Sequence, residues 1–205
     1  IYEISELCRQ EKIILLEDCA HSFGSTLNGK HTGLFGDAGV YSFYATKSIP
    51  AGEGGVVVTN NQELGKMVSD FAIYDRFEQK LPLGNNIRIS EVQALLAFSV
   101  VKEWLEIVTN KKNIADKYIP ICDDKNIKYI DQFSEGQSGN YYKFIIISET
   151  PINNKYPNIK TKTSAVYDYH IGATNNVYDK HLCLPIWYGL EDSVIDNVIL
   201  ELQNI

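Results

Sequence analysis

A four-residue apolar run, Ile13-Ile14-Leu15-Leu16, stops abruptly at two carboxylates, Glu17-Asp18. A run this short and unbroken is how a strand buried on both faces of a parallel sheet reads. Val40 to Tyr44 and Val56 to Thr59 read as two more buried strands, β-branched and aromatic. Residues 3–10 have the spacing of a helix end, with Ile4 and Leu7 on one face, and residues 62–75 read as another helix. Glycines at 24, 29, 33, 36 and 39 mark turns or a hairpin between the first two runs. Strands alternating with helices make the first part of the chain α/β.

Ser90-Glu91-Val92-Gln93 fits a capping box, in which Ser and Gln side chains satisfy orphan backbone donors. Val92, Leu96, Val100, Trp104 and Val108 keep helical spacing, so a long helix is expected from Ser90 to about 108, extending toward Tyr118. After Pro120 the texture changes. Short strands at Lys128 to Ile130 and Tyr141 to Ile147 alternate with polar loops, and a last amphipathic helix spans about 191–203. The expected division is 1–119 and 120–205, the second part a smaller α+β domain.

Composition excludes several classes. Hydrophobic residues make up 44% and charged residues 22% of 205, which is ordinary for a globular chain and unlike a disordered, collagenous or coiled-coil one. The net charge is −7 with no basic run, which argues against nucleic-acid binding. The longest near-apolar stretch, Ala94 to Val101, is far short of the roughly 20 residues that span a bilayer. Ile1 to Gln10 has no apolar core of a signal peptide, and the cysteines at 8, 19, 122 and 183 are too scattered for a metal or disulfide framework. A cytoplasmic protein with free thiols is expected. The first residue is Ile, which leads to the expectation of a fragment.

Asp18 follows an apolar strand, and in open α/β sheets ligands bind at the carboxyl ends of strands. Asp is also a common turn former. Lys47 follows the second run and suits an amine nucleophile, which needs partial desolvation; a loop lysine is otherwise a solvated charge. In Asp18-Cys19-Ala20-His21 a thiol nucleophile or a metal is a weaker alternative. Gly52-Glu53-Gly54-Gly55 is neither a GxxxxGKS phosphate loop nor a GxGxxG turn.

Together these residues carry a resemblance. Glu17-Asp18-Cys19-Ala20-His21, Ser42-Phe43-Tyr44-Ala45-Thr46-Lys47, Gly52-Glu53-Gly54-Gly55 and Gly84-Asn85-Asn86-Ile87-Arg88-Ile89-Ser90 occur in that order. The set resembles the DegT/DnrJ/EryC1/StrS sugar aminotransferases, pyridoxal-phosphate enzymes of the aspartate aminotransferase (type I) fold. Leu184-Pro185-Ile186-Trp187-Tyr188 and the final helix, with Tyr167 to His170, look like that family's C-terminal end.

The resemblance implies roles. Lys47 would bind pyridoxal 5′-phosphate covalently and shuttle the proton during transamination. Asp18 would pair with the pyridinium nitrogen, His21 would sit near the phenolic oxygen, and Ser42 would donate to the phosphate. Asn86 would reach the phosphate of a neighbouring subunit, since family active sites lie at a homodimer interface. Arg88 is expected to be structural or to stand on the substrate side, and Glu53 either a turn residue or a chemical group. The implied reaction moves an amino group from an amino acid, glutamate in most relatives, to a keto-sugar nucleotide in deoxyamino-sugar or surface-polysaccharide synthesis. A dehydratase of the same family is the alternative, although that branch carries His where Lys47 stands. A non-catalytic half needing a companion chain is another. Relatives have a large domain portion ahead of Ile13, so 1–119 is expected to be the C-terminal part of an incomplete large domain plus a connecting helix. The segment Ile73 to Leu83 is short and charged compared with relatives, which bears on the sugar.

Overall fold

The computed structural model describes residues 1–72, 85–152, 156, 159 and 180–204. The chain runs α1 (Tyr2–Gln10), β1 (Leu16–Asp18), β2 (Thr26–Leu27), β3 (Lys30–His31), β4 (Ala38–Ser42), β5 (Gly55–Val58), α2 (Gln62–Ala72), α3 (Glu91–Lys102), α4 (Trp104–Asp124), β6 (Lys128–Tyr129), β7 (Phe133–Ser134), β8 (Gln137–Ser138), β9 (Phe144–Ile147), β10 (His181–Leu184) and α5 (Asp192–Gln203). It divides into two compact units: Ile1–Leu105 with Glu135–Asn140, and Glu106–Ser134 with Tyr141–Ile205. Position 120 falls inside α4.

In the first unit β1, β4 and β5 form a sheet in that order. β1 pairs parallel to β4, with Asp18 opposite Val40, whereas β5 pairs antiparallel to β4. The strand expected at Ile13 begins only at Leu16, and it is not buried: Ile14 is 75% and Leu16 63% exposed. The exposure is confined to one face: Leu16 and Asp18 are exposed whereas Glu17 between them is buried, so β1 has one covered face and one open face. The three valines of β5 are likewise more exposed than a fully buried strand requires. The glycine-rich stretch does contain a hairpin. Asn28 and Gly29 both take positive φ (50° and 76°), the two-residue turn whose twist matches paired strands.

The Ser90 hydroxyl caps α3 by accepting from the Gln93 N–H at 3.3 Å. Gln93 Oε1 accepts from that same hydroxyl. The expected continuous helix breaks at Glu103, whose N–H bonds back to Val100 in a tightened turn, and α4 then starts afresh. α4 passes through Pro120 because Ile114, Ala115, Tyr118 and Cys122 bury one face, while Pro120 lies on the exposed side.

The second unit holds a continuous apolar core. β10, β9 and β6 pair antiparallel, and α4 and α5 supply Tyr118, Ile195, Val198 and Leu202 to it. Phe144 is fully buried, edge-on to Tyr118 and stacked with Tyr129 and Tyr141. Leu184-Pro185-Ile186 serves this core, since the Pro185 carbonyl accepts from the Tyr118 hydroxyl at 2.9 Å. Tyr167 to His170 and Ile73 to Leu83 lie outside the described residues.

Candidate active site

β1 and β4 run parallel, so their carboxyl ends share one edge of the sheet. Asp18 ends β1 and lies opposite Val40; Ser42 ends β4 two residues further on, and period-two alternation places Asp18 and Ser42 on the same face. The Asp18 carboxylate accepts the Ala20 N–H at 3.1 Å, which turns the chain sharply after the strand. His21 follows in that turn, closed by the Ser22 N–H donating to the Cys19 carbonyl.

The loop carrying Lys47 is fixed by backbone. Phe43 donates to the Gly54 carbonyl (2.8 Å), Ala45 to Gly52 (2.9 Å) and Ala51 to Phe43 (2.8 Å), and the Lys47 N–H donates to Tyr44 (2.9 Å). Ser48, Ile49 and Ala51 are buried beneath the loop, and Lys47 is half-buried. The glycines of 52–55 thus serve geometry. Gly54 has φ 126°, and a Cβ there would fall 2.6 Å from Ile89 Cδ1. This contact sets Ile89, from the segment leading into α3, against the turn. Asn86 is an exposed member of that segment, anchored where the Asn85 N–H meets the Phe71 carbonyl. Glu53 and Arg88 are exposed.

Three residues important to this edge escape sequence reading. Glu17 points to the face opposite Asp18 and is only 6% exposed. Its carboxylate accepts three backbone N–H groups: Gly33 (2.7 Å), Phe35 (2.6 Å) and Gly36 (2.7 Å). Charge-assisted bonds of this kind are the strong ones, and they tie the 32–36 loop under β1. The Tyr41 hydroxyl donates to the Thr32 carbonyl. Burial, with Cys19 and Glu17 nearby, pushes that phenol up to about 12, so it stays a neutral donor. Asn140 is the third. It is buried, and it donates to the carbonyls of His21 and Phe23. The only advance signal was that Glu17 is a carboxylate inside a strand; the partners of all three are backbone groups, which leave no mark in composition.

Cys19 is buried, and desolvation raises its thiol above the ordinary value, the opposite of what an attacking thiolate needs. No disulfide joins any two of the four cysteines. Among the described residues no group of His, Cys, Asp and Glu is arranged to hold a metal ion. No helix among them is long and apolar enough to cross a membrane.

Asp18 and Ser42 thus end neighbouring strands at one edge of the sheet, the loop carrying Lys47 leaves from that edge, and His21 lies in the adjoining turn. Residues 1–164 match the model of the DegT/DnrJ/EryC1/StrS aminotransferase family. The chain belongs to that family. GDP-perosamine synthase of Escherichia coli O157:H7 is 30% identical over 151 residues, which cover 71% of this chain and 40% of that enzyme. A Helicobacter pylori enzyme, UDP-4-amino-4,6-dideoxy-N-acetyl-beta-L-altrosamine transaminase, is 32% identical over 130 residues, 60% of this chain and 35% of its own length. The crystal structure of the aminotransferase TlmJ from Streptoalloteichus hindustanus superposes with a TM-score of 0.84 at 23% identity, covering 99% of this chain and 61% of that one. The chain thus has the fold of the corresponding part of these aminotransferases, the type I pyridoxal-phosphate fold expected from the motifs. The chain spans about two fifths of the length of the curated relatives it matches.

Proposed function

We propose that this chain carries the lysine-bearing part of a pyridoxal-phosphate aminotransferase acting on a keto-sugar nucleotide. The observation that carries the reading is the shared edge of β1 and β4, where Asp18, Ser42 and the Lys47 loop converge. The donor set fits pyridoxal 5′-phosphate: a carboxylate for a cationic ring nitrogen, a hydroxyl for a phosphate oxygen, an amine for an aldehyde. When bound, the cofactor supplies the electron sink that stabilises a carbanion at the amino-bearing carbon. The Lys47 amine would hold the cofactor and carry the proton moved in the transfer. Asp18 would face the ring nitrogen and hold its proton. Ser42 would donate to the phosphate, and His21 would lie near the ring oxygen. Asn86 contributes to the phosphate of a second copy, which makes the working form a homodimer.

In this reading the donor is an amino acid, glutamate by family habit, the acceptor is a keto-sugar nucleotide, and the protein works in the cytoplasm. Residues 1–119 belong to the cofactor-binding large domain and 120–205 to the small one.

The test is covalent trapping. The purified chain is mixed with pyridoxal phosphate, reduced with borohydride and digested, and the modified residue is mapped by mass spectrometry. Attachment at Lys47, lost in Lys47→Ala, is expected. Attachment elsewhere, or none, refutes the assignment.

A further inference from the structure

Residues 135–140 come from far down the chain and close over the segment that carries His21. β8 pairs with β2, placing Ser138 opposite Thr26 and Gln137 opposite Leu27. Next to this pair the Asn28 N–H donates to the Gly136 carbonyl at 2.6 Å. Asn140 completes the contact. It is 2% exposed, and its Nδ2 donates to the His21 and Phe23 carbonyls, each at 2.9 Å. A side-chain amide nitrogen has two protons to give, and both go to one three-residue stretch. Between those two carbonyls the Thr32 hydroxyl donates to the Ser22 carbonyl at 3.1 Å. The backbone from His21 to Phe23 is therefore held while His21 itself remains exposed.

We propose that Asn140 is a positioning residue: by clamping the His21 and Phe23 carbonyls it fixes where the His21 imidazole stands at the strand-end site. The proposal rests on the reading above, in which His21 sits beside the cofactor's ring oxygen. A turn that is already ordered meets its ligand without the entropy loss of ordering, and a site works best when its supporting groups are themselves locked. Asparagine suits the task because it is uncharged, short and a double donor. An aspartate of the same shape would turn oxygen lone pairs toward two carbonyls and lose both bonds.

The experiment compares the parent chain, Asn140→Asp, His21→Ala and the double variant. On cofactor-free protein, the Ser22 and Ser25 amides, bonded to Cys19 and Ser22, are followed by hydrogen exchange. Loss of two buried bonds is expected to speed them about tenfold or more, with the β9 amides unchanged. Pyridoxal-phosphate affinity and the pH midpoint of the bound cofactor's visible absorbance are then measured in all four chains. Asn140→Asp is expected to weaken binding about tenfold and to shift the midpoint when His21 is present, and to do neither when His21 is already Ala, the signature of coupled residues. A purely structural role gives the same loss in both backgrounds and overturns the proposal, as does unchanged exchange at Ser22 and Ser25. If Asn140→Asp does not fold, Asn140→Ser, shorter but still a donor, takes its place with the same outcomes. A parent chain that takes up no pyridoxal phosphate refutes the functional reading instead, and the exchange comparison, which needs no cofactor, still decides whether Asn140 holds the turn.

Discussion

The two units bury their apolar residues very differently. In the second, α4, α5 and the β10-β9-β6 sheet enclose one continuous core in which Tyr118, Phe144, Ile195 and Leu202 are almost wholly covered. In the first, Ile14, Val92 and Leu95 are 75%, 71% and 68% exposed, and Ala97 is the buried residue of α3. The residues proposed for the site all lie in the first. Its strand-end edge is held by polar bonds to backbone, centred on Glu17 and Asn140, together with a small set of buried side chains that includes Phe43, Ile49 and Ala51. Side chains that make a stable core and side chains that make a site are therefore drawn from different stretches of this sequence.

The sharpest way to test the contrast is to truncate one apolar side chain in each unit. Phe144→Ala removes a ring from a filled core and is expected to cost about 3–5 kcal/mol. Leu95→Ala, on the exposed side of α3, is expected to cost less than about 0.5 kcal/mol in urea unfolding. A large cost for Leu95→Ala would break the comparison, and concentration dependence of that cost would show α3 covered by a second copy. Next in size is Glu17→Gln, which keeps the shape but turns an amide nitrogen toward backbone donors. A loss of about 2–3 kcal/mol is expected from bonds of this charge-assisted type. The Gly33, Phe35 and Gly36 amides should exchange faster while those of β9 do not.

A pH-dependent effect concerns a buried cation in the second unit. Burial lowers the Lys111 ammonium from 10.5 to about 8. Between those values the unfolded chain holds a proton that the folded chain has released, so this group's contribution to stability rises with pH there. Relative to Lys111→Met, the parent is expected to gain at most about 1.4 kcal/mol per pH unit across that window and nothing below it. Measuring the difference between the two chains removes the opposing ionisation of the buried cysteines and tyrosines, which all remain protonated higher than usual. A flat difference from pH 7 to 10.5 would show that Lys111 is solvated.

What could be read beforehand was local. The Ser90 cap lies three residues from its partner, α5 announces itself by Val194, Ile195, Val198, Ile199 and Leu202, and Asp18, Ser42 and Lys47 are set by their distance from strand ends. What could not be read was non-local or written in backbone. Ile13 to Leu16 looked buried because apolarity reports a residue's preference, whereas coverage depends on what packs over each face of the strand, which no local pattern names. The division near 120 rests on the change of texture after Pro120, whereas α4 itself continues through that proline, held by its buried face. Glu17 reaches amides 16 to 19 residues away, and Asn140 reaches carbonyls 117 and 119 residues away.

The pairing of β8 with β2 has a consequence for the order of events during synthesis. Leu27 and Thr26 emerge long before Gln137 and Ser138, their partners in the sheet. Closing so long a loop is entropically costly and slow compared with forming local contacts. The His21 turn must therefore wait, incompletely fastened, while more than a hundred further residues are added. The second unit supplies the chain length on both sides of residues 135–140. A nascent chain halted before residue 135 would already contain Asp18, Ser42 and Lys47 but would lack the strand and the asparagine that fasten His21. The translation of this protein thus separates in time the arrival of its chemical groups from the moment they are set in place.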